Sequence, residues 1–266
     1  LALAALLAAA PALAQHENHG APPPSPNGWT TLPIVEARLK GRMGVELSAP
    51  NGAARTMVVT PPKGEKATLD APGGKASFKP VDGNYHLVTA VDACDVHVAT
   101  ATTAVYFPNP GAAPTKILKQ PAEGLTVVPD KLPREHASYR AGETWVFHVA
   151  KDGQPFPGAK VRLETGNGTK AELVSDMEGK VAVTFPEDFP PRDQRPPEAH
   201  GRPLQSPFVV AAIVQTGSLQ HIGAFNHVYR PGAYDGMSVW AGAGFGLVGM
   251  ALAAPFVRRR RTGAAP

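Results

Sequence analysis

The sequence predicts an all-β protein, exported and held to a membrane by one C-terminal helix. Three observations carry that reading. From about Leu32 onward the chain consists of short apolar runs broken by Gly, Pro and Asp, the text of strands and turns. No stretch before residue 237 sustains a helical period. The two ends are apolar in two different ways.

Residues 1–14, LALAALLAAAPALA, end on the small-x-small site Ala12-Leu13-Ala14 and read as the apolar part of a secretory signal peptide. They are too short to span a bilayer. Residues 15–30 are rich in Pro, Asn, Gly and His and form a flexible arm. Residues 31–108 carry the first β domain. Its expected strands are IVEARL, GVELSAP, RTMVVTPP, ASFKPVDG, YHLVTAV and DVHVATATTAVYF. PNPGAAPTKILKQPAEG is linker-like, and the domain boundary is placed at 109–124.

Residues 125–230 form the second β domain, which opens on TVVP. Trp145, Phe147 and Val149 alternate, so they share one strand face. Asp152-Gly153 is a hairpin turn, AKVRL alternates again, and SDMEGK turns the chain into VAVTF. FVVAAIVQTG and LQHIGAFNHVYR close the set. Short strands with turns at this spacing predict two immunoglobulin-like or transthyretin-like β-sandwiches. A Pro-rich loop at 186–207 interrupts the second.

MSVWAGAGFGLVGMALAAPFV, residues 237–257, holds no charge and is followed by Arg258–Arg261. It is the expected transmembrane helix, with residues 258–266 as a cytoplasmic tail. Tyr229, Tyr234 and Trp240 are expected at the outer interface as aromatic anchors. The chain has 26 Lys+Arg against 22 Asp+Glu, and the four tail arginines account for the excess. The exported part is therefore neutral. It lacks the basic face that a nucleic-acid partner requires.

Signatures of catalysis are missing: there is no G-x-S-x-G, no H-E-x-x-H and no phosphate-binding loop. The match to G-x-G-x-x-G at Gly244, Gly246 and Gly249 lies inside the apolar span, where no dinucleotide site forms. Gly242 and Gly246 instead make a GxxxG pair suited to packing against another membrane helix. The protein is expected not to be an enzyme and to hold no organic cofactor.

Metal ligands are the remaining chemistry. Cleavage after Ala14 places His16 second in the mature chain, with His19 close behind. Imidazoles near a terminal amine suit Ni²⁺ or Cu²⁺, which favour tetragonal nitrogen ligation. The run VDACDVHV gathers Asp92, Cys94, Asp95 and His97. On one strand Asp95 and His97 point to the same side, about 7 Å apart. Cys94 then faces away unless the segment turns. It is the chain's one cysteine, so it makes no disulfide within the chain. His221 and His227 share a strand face but lie about 20 Å apart, too far to share an ion. His86, His136, His148 and His200 are isolated and are assigned no role.

ASYRAGETWVFHVAKDGQPFPGAKVRLET followed by SDMEGKVAVTF, with GLTVVPDKLP ahead of it, resembles a bacterial periplasmic β-sandwich family. Gly142, Asp152, Gly153, Pro155, Gly158, Ala159, Val161, Asp176 and Gly179 carry the likeness. The family is that of domain-of-unknown-function proteins found beside energy-coupled nickel and cobalt uptake transporters. The resemblance implies a protein of the bacterial inner membrane, with its bulk in the periplasm and its C-terminus in the cytoplasm. It implies an accessory that binds nickel or cobalt and hands the ion to transporter subunits packed beside its helix in the bilayer. Two other functions fit the residues: a structural or adhesive surface domain binding protein or glycan, and a copper-handling protein.

Overall fold

The computed structural model describes residues 28–40, 44–52, 54–63, 65–81, 83–107, 114–120, 122–133, 137–195, 204–233 and 235. These residues fold as an all-β sandwich. Its strands are β1 Glu36–Lys40, β2 Gly44–Ser48, β3 Thr56–Thr60, β4 Ala67–Asp70, β5 Lys75–Phe78, β6 Tyr85–Ala93 and β7 His97–Tyr106. They continue as β8 Leu125–Pro129, β9 Tyr139–Arg140, β10 Thr144–Lys151, β11 Gln154–Pro155, β12 Lys160–Thr165, β13 Lys170–Val174, β14 Lys180–Thr184, β15 Ser206–Thr216 and β16 Leu219–Arg230. Among the described residues helix is limited to three short 3₁₀ turns, at Pro72–Gly74, Pro114–Lys119 and Arg192–Gln194. No helix among the described residues is long and apolar enough to cross a membrane. Residues 1–14, the arm to residue 27 and the 237–257 span lie outside the described residues.

The two halves of the sequence share one sheet. Its order is β13-β12-β15-β16-β7-β6-β3-β4, and β16 joins them. One edge of β16 pairs antiparallel with β15 from Leu219 to Tyr229. The other edge pairs in parallel with β7 over Gln220–Asn226, then with β9 at Tyr229 and Arg230. Sequence alternation finds both strands but not their partnership, which spans the whole second half.

Side chains alternate across this sheet, so each face carries its own core. On one face β8, β10, β11 and β14 cover the second half. Phe147, Val149, Val183, Phe208 and Phe225 interlock there, and Leu87 and Ala104 of the first half join them. On the opposite face the three-stranded sheet β1-β2-β5 covers the first half through Val45, Leu47, Met57, Val88 and Ala101. The chain ahead of β1 continues that second face. Leu32 and Ile34 pack on Val209, Ala211 and Ala224. Asn226 exchanges 2.9 Å hydrogen bonds with Val35 in both directions. Thr30 donates to the buried carboxylate of Glu164 at 2.8 Å.

Tyr229 corrects one expectation. It is fully buried rather than interfacial, because its position on β16 points it into the aromatic core. Its hydroxyl donates to Asp188. Tyr234 and Trp240 lie outside the described residues.

Candidate functional site

The hairpin between β6 and β7 is tight. Ala93 pairs with Val98, and the Cys94 N–H donates to the His97 carbonyl at 2.9 Å. Only Asp95 and Val96 are left to make the turn. Residues directly opposite in an antiparallel pair project to the same face. Cys94 and His97 therefore stand side by side, and Asp92, two residues back on β6, shares their face. Val88 and Ala90 precede it on that face and belong to the first-half core. The three polar side chains thus continue the core line past its end, at the open mouth of the first sandwich.

The contacts follow from that register. Cys94 Sγ lies 3.1 Å from His97 Nδ1, and His97 Nε2 lies 3.3 Å from Asp92 Oδ2. Exposure rises along the line. The Asp92 side chain is 15% exposed, His97 is 35% exposed, and Cys94 is open to solvent. A carboxylate only accepts, so Nε2 carries the proton facing Asp92. In the neutral ring Nδ1 then has its lone pair on the side of the thiol. The second half buttresses the tip: the Gln220 N–H of β16 donates to the Val96 carbonyl at 3.0 Å. The loop before β3 closes it from the side. A Cβ on Gly52 would sit 3.0 Å from Asp92 Oδ2, so only glycine fits there without displacing the carboxylate.

The expected pairing of Asp95 with His97 on one strand is replaced. Asp95 is itself part of the turn and is exposed at its corner. Cys94, expected to face away unless the segment turned, faces His97 because it does turn. Asp92 was visible in the same short run, but its role depends on where the two-residue turn falls. His16 and His19 lie outside the described residues, as do Gly242 and Gly246.

The line is not a three-ligand metal cage. Asp92 and Cys94 occupy opposite nitrogens of one imidazole, so one ion cannot meet both. Among the described residues no group of three or more His, Cys, Asp and Glu side chains is arranged to hold a metal. It does hold a two-donor pair, Cys94 Sγ and His97 Nδ1, with a carboxylate fixing the imidazole from behind. That outer carboxylate is the usual support of a metal-ligating histidine.

Three other described histidines, His86, His227 and His148, make contacts within the fold. His86 is buried, its Nε2 accepts from the Val81 N–H at 3.3 Å, and burial holds its pKa below the ordinary value. His227 packs edge-on against Tyr139 and is held below its ordinary value by burial as well. His148 pairs with Asp130 at 2.8 Å on the outer face of β10, and that hydrogen bond lowers the Asp130 pKa. A cleft of about 660 Å³ lies at the other end of the molecule, between Glu143, Glu187, Phe189 and the Arg195–Asp235 ion pair.

No protein-family model and no curated protein matches the chain. Solved structures do. A two-domain fibronectin type-III segment of chicken tenascin is 10% identical, with 74% of this chain and 98% of that one covered and a TM-score of 0.24. The fibronectin(III)-like modules of Clostridium thermocellum CbhA are 8% identical, with 74% and 95% covered and a TM-score of 0.23. A Ca²⁺-stabilized adhesin with which an Antarctic bacterium binds ice is 13% identical, with 76% and 49% covered and a TM-score of 0.26. At these scores none of them bears on function.

Proposed function

We propose that the protein is an exported, membrane-anchored accessory that captures a transition-metal ion, nickel or cobalt, at the Cys94–His97 pair. In this reading residues 1–14 direct export and residues 237–257 anchor two sandwich units to the inner membrane. Gly242 and Gly246 set the anchor against a transporter subunit, which receives the ion.

The observation that supports it is the 3.1 Å between Cys94 Sγ and His97 Nδ1. Metal–sulfur and metal–nitrogen bonds of about 2.3 and about 2.0 Å meeting at a right angle place the two donors about 3.0 Å apart. At a tetrahedral angle the separation is about 3.5 Å, and in a linear site about 4.3 Å. The separation therefore matches adjacent positions of a tetragonal site, a geometry that suits Ni²⁺, once the imidazole turns its lone pair from the sulfur to the ion. A linear copper(I) site requires the hairpin tip to open by more than 1 Å, roughly.

The remaining donors come from the arm. Asn51 Nδ2 donates to the Thr30 and Leu32 carbonyls at 3.1 and 2.8 Å, and its neighbour Gly52 lies against Asp92. The chain therefore enters the fold beside the site. The ten residues from His19 to Gly28 reach up to roughly 30 Å, enough to bring His16 and His19 to Cys94.

Calorimetric titration of the full chain in detergent with Ni²⁺ tests this. Cys94→Ser and His97→Ala are expected to weaken binding at least about 10-fold, and His16→Ala with His19→Ala to weaken it by a similar factor. Binding unchanged in Cys94→Ser and His97→Ala removes the site from the hairpin.

A further inference from the structure

The large sheet ends at β13, and that edge is open. The Thr165 N–H donates to the Thr169 carbonyl at 3.0 Å, and the Ser175 N–H to the Ala159 carbonyl at 3.1 Å. Bonded and non-bonded pairs alternate along an antiparallel ladder, so these two bonds fix which way each β13 residue faces. Ala171 and Leu173 turn their backbone groups toward β12, opposite Leu163 and Val161. Lys170, Glu172 and Val174 turn theirs outward, where no further strand follows among the described residues. Across the sandwich β14 offers less, because Asp176 takes both the N–H and the carbonyl of Lys180. A row of open N–H and C=O groups is a template for another strand. We propose that its occupant is β13 of a second copy of this chain, paired antiparallel about a two-fold axis at Ala171.

The side chains select both the occupant and the register. Lys170 and Glu172 share one face of β13, and their side chains are 65% and 82% exposed. Outward backbone groups must meet outward groups, so the two-fold axis falls on a residue of the strand. Centred on Lys170 or on Glu172, it sets like charges directly opposite each other. Centred on Leu173, it sets Glu172 opposite Val174 and leaves Lys170 beyond the end of the strand. Centred on Ala171, it sets each Lys170 opposite Glu172 of the other copy, twice over. The charges behind them extend the pattern. Arg162 stands 3.7 Å from Glu172, and Glu164 stands 3.7 Å from Lys170. Arg162, Glu172, then Lys170 and Glu164 of the second copy alternate in sign across the junction. Charge of one sign along an edge keeps copies apart, whereas this order attracts its own reverse. Val174, 64% exposed, comes to lie opposite Gly168 of the second copy, which has no side chain to obstruct it.

The pairing is tested on the full chain in detergent, with Cys94→Ser as background and a chelator present throughout. In the proposed register the two Ala171 residues form a non-hydrogen-bonded pair with Cα atoms about 4.5 Å apart, within disulfide reach. Ala171→Cys is therefore expected to give a disulfide-linked dimer under mild oxidation. Val174→Cys is expected to give none, because Val174 lies six residues, about 20 Å, from its own copy. Charge exchange then tests the register. Lys170→Glu or Glu172→Lys, each combined with Ala171→Cys, sets only like charges across the axis. Either is expected to lower the yield of dimer about 5-fold or more. Mixing the two variants restores both opposite-charge pairs, and the yield is expected to return as a mixed dimer. That rescue also shows that both variants are folded. An Ala171→Cys chain that forms no dimer leaves the edge to an extended segment of another protein and overturns the proposal. Equal crosslinking at Val174→Cys, a yield indifferent to the charge changes, or a mixture that pairs no better than its components overturns it as well.

Discussion

Asp188 shows how a single residue ties sequence to stability here. Burial pushes its carboxyl pKa up, but donors from Tyr229, Thr169, Asn167 and Thr165 outweigh that and hold it below the usual range. Its contribution is present above the unfolded carboxylate pKa and is lost as pH falls through the folded value. Tyr229→Phe removes one donor and is expected to cost about 1–2 kcal/mol in a urea titration. His86 and His227 act in a higher window. Both are held low by burial, so the unfolded chain binds protons that the folded chain refuses. Their contribution is whole above pH about 6.5 and declines as pH falls below it. Urea midpoints measured from pH 7.5 downward are expected to begin falling there, well before Asp188 titrates. The side chains of the candidate site were legible as residue types in VDACDVHV. Their pairing was not, because period-2 alternation continues only until a turn resets it, and nothing in CDVH marks Asp95 and Val96 as the turn.

At the scale of elements, alternation located the buried strands and missed the two edges of the large sheet. YHLVTAV, ETWVFHVA and FVVAAIVQTG stand out because one or both faces are covered. β4 and β13 lie at the two ends of the large sheet, and ATLD and KAELV are mostly exposed. An edge strand facing solvent carries charge and loses the apolar signal. β9 and β11 are two residues each and exist only through their partners. Asp152 with φ 52° and Gly153 with φ 76° form the hairpin turn that Asp-Gly predicts. Gly223 has a role that its sequence context hides. A Cβ there would lie 2.5 Å from the Leu125 carbonyl oxygen, because β8 crosses close over β16. Gly223→Ala is expected to destabilise the protein by about 1–3 kcal/mol, read from the shift in its urea midpoint.

For the whole molecule the deciding contact is β16 against β7. A linker at 109–124 suggests a boundary between two domains. The parallel pairing makes them one sheet, and Tyr85, Leu87, Ala104 and Ile117 of the first half and its connection complete the second-half core. The full chain is therefore expected to unfold in one cooperative transition. Residues 125–235 expressed alone would expose an unpaired β16 edge and are expected to aggregate or melt well below the full chain. Two separate transitions, or a fragment as stable as the parent, would show that the junction contributes little. The same junction steadies the candidate site, since β16 holds the hairpin tip that presents Cys94 and His97.

The central claim is that a thiol and an imidazole from one hairpin bind the same ion. The most direct measurement is a cobalt(II) titration of the full chain in detergent, followed by near-ultraviolet absorption. A thiolate bound to cobalt gives an intense sulfur-to-metal charge-transfer band, whereas nitrogen and oxygen donors do not. The expected result is a band that saturates at one equivalent, disappears in Cys94→Ser and weakens in His97→Ala. Cobalt binding without that band, or a band that survives in Cys94→Ser, would contradict the assignment.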